Sequence, residues 1–353
     1  MSYDLPPINL KPGMILEKDI MDRGKLLLAK GTVIKPSYIT QLISRGVAKV
    51  TVLAEKTLNE EILSNPVEKF YARSYQAVGN IIDNLKQNLP ITIPQIFPVV
   101  EKILETVFAN QDSMLLLTGF KEGYDYHYAH SLDVCIYSII AAKAMDLNYA
   151  TIVDLGMGAL LHDVGKTKTP ESILFKQGRL TAAEYEEVKK HSKYGYDIVV
   201  KIPGIKPNIT QIVLQHHERC DGSGYPRGLK DGEIYRLAKI VAIADIYDAL
   251  TSDRVYCKKV LPHEAAEFLL YASSTLIDPE IARVFMKHIA IYPPGCQVRL
   301  NTNEIAIVLD SNLNMPLRPL LKIIADKEGR PLKESKKCEL QSHPQIFIKN
   351  IFN

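Results

Sequence analysis

The sequence predicts a mainly α-helical protein, with a helical bundle framed by a small β-rich segment at each end. Three observations carry that expectation. From about residue 111 to 292, apolar residues recur at the three-and-four spacing of buried helix faces. Before residue 56 the chain alternates short β-branched runs with a hairpin signal. After Pro293-Pro294-Gly295 it returns to short apolar runs separated by polar turns.

A chain of 353 residues is long enough for two or three domains. The expected division is a β-rich N-terminal domain over 1–56, a helical connector over 57–110, a catalytic helical domain over 111–292 and a β-rich C-terminal module over 293–353. A hydrophobic fraction of 46% supplies a sizeable core, and a net charge of +3 is too small to argue for a nucleic-acid polymer or a membrane surface. The five cysteines, Cys135, Cys220, Cys257, Cys296 and Cys338, are scattered and never form a CxxC pair. Reduced thiols and no zinc knuckle are expected. The start, MSYDLPPINLKPGM, lacks the basic and apolar pattern of a signal peptide, and the most apolar window, Val134 to Met145, contains Lys143 and is too short to span a bilayer. A cytoplasmic protein is expected.

In chain order, Met14 to Ile20 and Lys25 to Leu28 flank Asp22-Arg23-Gly24 as a hairpin. Ser37 to Ser44 reads as a short helix and Ala48 to Leu53 as a strand. Pro90 and Pro94 punctuate two helices of the connector. Thr181-Ala182-Ala183-Glu184 is a capping box and launches a helix with Val188, His191 and Tyr194 on one face. Ile234 to Ala249 is a further helix. Val298 to Leu300, Glu304 to Leu309 and Leu317 to Ile324 read as strands.

The helical middle carries an ordered series of metal-ligand types: His130, His162-Asp163, His191, His216-His217 and Asp245. They stand on successive apolar helices, as in bundles that build metal sites from inward-facing side chains. Asp245 lies on the stripe of Val241 and Ala238. A lone carboxylate there is costly unless paired, with Arg254 for example, or metal-bound. Imidazoles and carboxylates without thiolates favour iron or manganese, and this many donors suit two divalent ions better than one. Asp163, with two oxygens, is placed to bridge them, and such a pair generates hydroxide at neutral pH and offsets charge on a phosphodiester. Lys166, a turn beyond His162, suits protonation of a leaving oxygen, although its spacing supports a plain surface lysine equally. His216 to Pro226, HHERCDGSGYP, is a helix end followed by a glycine-dependent loop that suits a substrate lid.

Together, HDVGK (162–166), His191 within KKHSKYG, HHERCDGSGYP (216–226) and ADIYDALTSDR (244–254) resemble the HD-GYP family of the HD phosphohydrolase superfamily. The resemblance covers about residues 120 to 290 and implies an HD-type helical bundle. It implies a phosphodiesterase that opens cyclic di-GMP to linear pGpG and cuts that on to GMP. The implied metal ligands are His130, His162, Asp163, His191, His216, His217 and Asp245. Asp163 and Lys166 would act in catalysis, while Tyr225, Gly224, Asp248 and Arg254 would meet the nucleotide. Tyr126 stands where some members carry a glutamate supporting a third metal, so two metals are expected. Val255 and Cys257 stand where proline and a basic residue are common.

Two alternatives stay open beside this reading. One is the same chemistry on cyclic GMP-AMP, and the other is a non-catalytic cyclic-dinucleotide-binding adaptor. Candidate partners are the cyclic dinucleotide, a diguanylate cyclase or other signalling proteins, and a second copy of the chain as a homodimer.

Overall fold

A computed structural model of the chain describes residues 2–7, 10, 16–22, 25–28, 30, 32, 34, 38, 42, 45, 47, 49–53, 66–118, 125–176, 178–252, 260–289, 292, 294–312 and 315–352. Contacts divide the chain into two compact units, Met1–Lys69 with Lys121–Asp125, and Phe70–Phe120 with Tyr126–Asn353.

In the first unit β1 (Ser2–Leu5) pairs antiparallel with β4 (Val50–Leu53), and β2 (Ile20–Asp22) with β3 (Lys25–Leu28). The β2–β3 pair is the expected hairpin, though its first strand begins only at Ile20. Leu16 instead bridges to Val52. β1 was not expected, because four residues are too few to show an alternating pattern. The strands close over Leu16, Ile34, Leu42, Val50 and Val52. Of the helix expected over 37–44, Tyr38 and Leu42 are helical and the rest lies outside the described residues.

The second unit is helical first. It runs through α1 (Pro66–Lys86), α2 (Ile93–Thr118, non-helical at Asn110), α3 (Tyr126–Ala144), α4 (Tyr149–Leu161), α5 (Glu171–Leu174), α6 (Ala182–Lys189), α7 (His191–Val199), α8 (Pro207–Gln215), α9 (Arg236–Thr251), α10 (Pro262–Ala272) and α11 (Pro279–His288). Helix α3 is the axis. Every residue from Ala129 to Ala142 is buried, the pattern of a helix that is apolar on all sides and surrounded by others. It packs against α2, α4, α9 and α11. Asp133, at its buried centre, accepts a hydrogen bond on Oδ1 from the Tyr71 hydroxyl at 2.6 Å, which offsets part of the cost of burying it.

The same unit ends in a five-stranded antiparallel sheet of order β8-β7-β6-β5-β9, from β5 (Gln297–Leu300), β6 (Ile305–Asp310), β7 (Leu320–Ala325), β8 (Pro331–Glu339) and β9 (Ile348–Phe352). Alternate residues Val298, Leu300, Ala306, Val308, Leu321 and Ile323 face one core, shared with Ala266 of α10. Among the described residues no helix is long and apolar enough to cross a membrane. Cys135, Cys220, Cys296 and Cys338 are free thiols. Cys257 lies outside the described residues.

Candidate metal centre

Five segments of the helical body converge on one point. His130 sits one turn into α3. His162 caps the C-terminal end of α4, and Asp163 leads into the short 3-10 turn Val164–Lys168. His191 opens α7, His216 and His217 follow α8, and Asp245 lies in α9. Most of the ligand types therefore stand at helix ends, where the chain turns and two functional side chains can share a location. Gly165 permits the closest approach. A Cβ there would lie 1.9 Å from the His191 carbonyl oxygen and 2.4 Å from the Gly195 nitrogen, so any other residue would push Asp163 away from His191.

The helix expected to run from Thr181 through Tyr194 is in fact two helices. Its capping box is present, with Thr181 Oγ1 accepting from the Glu184 amide and Glu184 accepting from the Thr181 amide. It stops at Lys189, and His191 begins the next helix. The cause is local. The His191 ring donates from Nδ1 to the Val188 carbonyl at 2.6 Å and so occupies an acceptor of the ending turn.

That bond is repeated around the site. His162 Nδ1 donates to the Ala159 carbonyl at 2.7 Å, and His216 Nδ1 to the Val213 carbonyl at 2.8 Å. In each case the ring bonds the carbonyl three residues earlier. Because a carbonyl can only accept, the proton sits on Nδ1 and the Nε2 lone pair points inward. His130 Nδ1 is held likewise, by the Asp248 carboxylate at 2.6 Å.

The inward atoms form two groups around Asp163. Its Oδ1 lies 3.4 Å from His191 Nε2 and 4.0 Å from His216 Nε2. Its Oδ2 lies 3.4 Å from His130 Nε2 and 3.5 Å from His162 Nε2, and bonds the Lys166 ammonium. Asp245 Oδ1 is 3.2 Å from His130 Nε2, and Asp245 Oδ2 is 3.6 Å from His217 Nδ1. Asp163, His191, His216 and His217 offer one set of mutually close donor atoms, and His130, His162 and Asp245 another.

These donors fit divalent cations. His162 Nε2 and Asp163 Oδ1 are buried with no hydrogen-bond partner. His191 Nε2 and His216 Nε2 face each other at 3.2 Å. Two lone pairs at that separation repel, and shared coordination of a cation removes the repulsion. Buried acceptors without donors are rare in folded proteins, and here they gather at one place.

The charges agree. Burial pushes His162, His191, His216 and His217 below the usual imidazole value, His191 to about 4, so they stay neutral and ligand-competent. Burial opposes the Asp163 carboxylate too, but Lys166 and the nearby imidazoles outweigh it and hold that group well below its ordinary range. Asp245 is held down similarly, by His130 and His217. His130 alone moves up. Burial disfavours its charge, yet Asp163, Asp245 and Asp248 together lift it to about 10.

Of the other expected site residues, Lys166 reaches Asp163, with its side chain 21% exposed at the mouth. The Tyr225 ring lies on His217 with centroids 4.7 Å apart. Gly224 lets the loop fold back, since a Cβ there would meet the Arg219 nitrogen at 2.3 Å. Asp248 was expected to touch the nucleotide. It is instead fully buried behind His130, where it orients the ring. Arg254, Val255, Cys257 and Lys258 lie outside the described residues. Tyr126 stacks on His130 with centroids 5.4 Å apart, so a ring occupies the place where a further carboxylate was absent.

Sequence reasoning passed over Glu218. It is buried, and its two oxygens accept from the Arg227 amide at 2.8 Å and the Leu229 amide at 2.9 Å, clasping the loop that carries Tyr225. The available signal was an acid between two histidines and a glycine turn, with no cation at helical spacing to pair with it.

Residues 130–281 match the model of the HD domain, and residues 297–353 that of the KOW domain associated with HD domain. The chain is 32% identical over 252 residues to the cyclic di-GMP phosphodiesterase PA4108 of Pseudomonas aeruginosa, across 71% of this chain and 61% of that one. It is 34% identical over 232 residues to a cyclic di-GMP phosphodiesterase of Thermotoga maritima, across 64% of this chain and 59% of that one. It is 34% identical to the 3'3'-cGAMP-specific phosphodiesterase 3 of Vibrio cholerae, across 48% of this chain and 36% of that one. The chain thus spans about 60% of the length of the first two relatives. Among solved structures, Bd1817, a HDG"Y"P protein from Bdellovibrio bacteriovorus, superposes with a TM-score of 0.53 at 16% identity, covering 81% of this chain and 98% of that one. At that identity the likeness concerns the fold.

Proposed function

Since this chain belongs to the HD domain family, in its HD-GYP branch, we propose that it is a metal-dependent phosphodiesterase that hydrolyses cyclic di-GMP to linear pGpG and on to GMP. One observation carries the reading most. The two oxygens of Asp163 face two different groups of inward-pointing imidazoles, the arrangement a bridging carboxylate needs.

In this reading His130, His162 and Asp245 would hold one cation and His191, His216 and His217 a second, with Asp163 between the two groups. Iron or manganese suits this donor set, which is nitrogen and oxygen throughout. When bound, the pair supplies an activated water and offsets charge on the phosphodiester. The chain's own residues do the rest. Asp248 and the Ala159, Val188 and Val213 carbonyls keep the rings in register. Lys166, already at the mouth beside Asp163, holds a phosphate oxygen or gives a proton to the leaving oxygen. Tyr225 and Gly224 line the nucleotide, and Arg254 adds a further contact. A cytoplasmic location, a homodimer and the four-part division of the chain belong to the same proposal.

A second substrate has one observation in its favour, the 34% identity to a relative named for 3'3'-cGAMP. Protein purified without oxygen, loaded with Fe(II) or Mn(II) and offered each dinucleotide separates the two. Turnover is expected with cyclic di-GMP and is lost in His162→Ala and Asp163→Ala. Metal-loaded wild-type protein that binds the dinucleotide but never cleaves it would point to an adaptor instead.

A further inference from the structure

Two aromatic rings at the rim of the metal centre have no part in the hydrolysis described above. Phe175, directly after α5, is 50% exposed, and Tyr185, in the first turn of α6, is 51% exposed. Neither α5 nor α6 contains a buried residue, so these rings are not the edge of a core. Lys176, next to Phe175, bonds both oxygens of Glu184, next to Tyr185, at 2.7 and 2.6 Å. That ion pair ties the two ring-bearing stretches to each other.

Each ring is also connected to a different group of ligand residues. From Phe175 the path runs edge-on to His127 at 5.8 Å, then to Tyr126 at 5.7 Å, whose ring stacks on His130 at 5.4 Å. From Tyr185 it runs through the Lys189 ammonium, 5.2 Å from the Tyr185 centroid and 5.8 Å from that of Tyr225. Tyr225 in turn lies 4.7 Å from His217 and 6.2 Å from His191. Two runs of contacts thus start from different groups of ligand residues, and each ends on a planar ring half open to solvent. A cyclic dinucleotide likewise presents two planar bases, each carried on a ribose of the phosphodiester-linked ring.

Resting on the phosphodiesterase reading above, we infer that Phe175 and Tyr185 are base platforms, each stacking on one purine of the cyclic dinucleotide while the scissile phosphodiester lies at Asp163. Stacking on an aromatic side chain is tolerant of base identity, because every base presents a π-face. The platforms therefore supply affinity for a two-base ligand and leave the choice between guanine and adenine to other groups.

The chain contains no tryptophan, so Phe175→Trp places a single indole at one platform. The metal-loaded variant is titrated with a hydrolysis-resistant phosphorothioate analogue of cyclic di-GMP, and separately with inorganic phosphate. Saturable quenching of the indole by the analogue and none by phosphate is expected. Calorimetric binding of the analogue with unchanged emission would overturn the inference at Phe175. Independently, Phe175→Ala and Tyr185→Ala are each expected to raise KM for cyclic di-GMP about tenfold while moving kcat less, with Phe175→Trp restoring KM. Wild-type hydrolysis with KM unaltered in both alanine variants would sink the platforms and leave the phosphodiesterase reading intact. Wild-type protein that neither binds nor cleaves the dinucleotide would sink both.

Discussion

The floor of the site and its rim are built by opposite means. On the floor, the rings of His130, His162, His191 and His216 are buried and each is clamped by a bond behind it, from Asp248, Ala159, Val188 or Val213. At the rim, Phe175 and Tyr185 are half open to water, and what fixes them is a partly exposed ion pair and a helix cap. Burial makes the floor unforgiving, because a lost partner there leaves a desolvated polar group. Exposure makes the rim adjustable, because solvent replaces whatever is removed. Chemistry is therefore expected to depend on the floor and ligand choice on the rim.

The hardest strike at that contrast is Asp163→Ala. Losing the shared carboxylate is expected to lower kcat roughly a thousandfold or more, since a cation pair contributes several kcal/mol at the transition state. Metal content measured beside rate would show bound ions falling with activity. Next is Asp248→Ala, which removes the carboxylate behind the His130 ring. Metal affinity is expected to drop about tenfold to a hundredfold, with the dinucleotide KM moved less. A variant with undiminished metal affinity would make Asp248 a bystander.

His130 also gives the floor a proton signature. In the ion-free protein the surrounding carboxylates lift it to about 10, so at neutral pH it carries a proton that a cation must displace. Metal uptake at pH 7 is therefore expected to release about one proton from this ring, and affinity to rise as pH rises toward the His130 value. Calorimetry in two buffers of different ionisation enthalpy reads this directly, and equal heats in both would contradict it.

Between floor and rim, Glu218→Ala strips the acceptors from the Arg227 and Leu229 amides. A loss of about 2 kcal/mol in urea unfolding is expected, together with a raised KM as Tyr225 leaves His217. The smallest effect belongs to the rim. Thr181→Ala removes one half of the capping box and is expected to cost about 1 kcal/mol, with the metal content unchanged. Loss of metal in that variant would erase the distinction between the two layers.

Much of this was legible in the order of residue types. The β2–β3 hairpin, the Thr181 cap and the strands β5, β6 and β7 rest on local chemistry that a short window contains, whereas β8 and β9 were not expected. The positions of His130, His162, Asp163, His191, His216, His217 and Asp245 were legible because charged and imidazole groups on apolar helices need a common purpose. What stayed hidden depends on partners distant in the chain. Asp248 looks like one more acid on α9 until the fold sets His130, 118 residues earlier, against it. The break at Lys190 could not be read either, since Val188 and His191 fit one helical stripe. Lys190 stands between α6 and α7, where the His191 ring bonds the Val188 carbonyl. Phe175 and Tyr185 carry no period or motif, and only their placement gives them meaning.

The three imidazoles gripped by main-chain oxygens have a lasting consequence for how such a protein can vary. No exchange of side chains at 159, 188 or 213 deletes a carbonyl, so sequence drift at those positions leaves the grip on His162, His191 and His216 in place. His130 is the exception, because its grip is itself a replaceable side chain. Retuning of the ions, by nature or at the bench, has its shortest route through position 248.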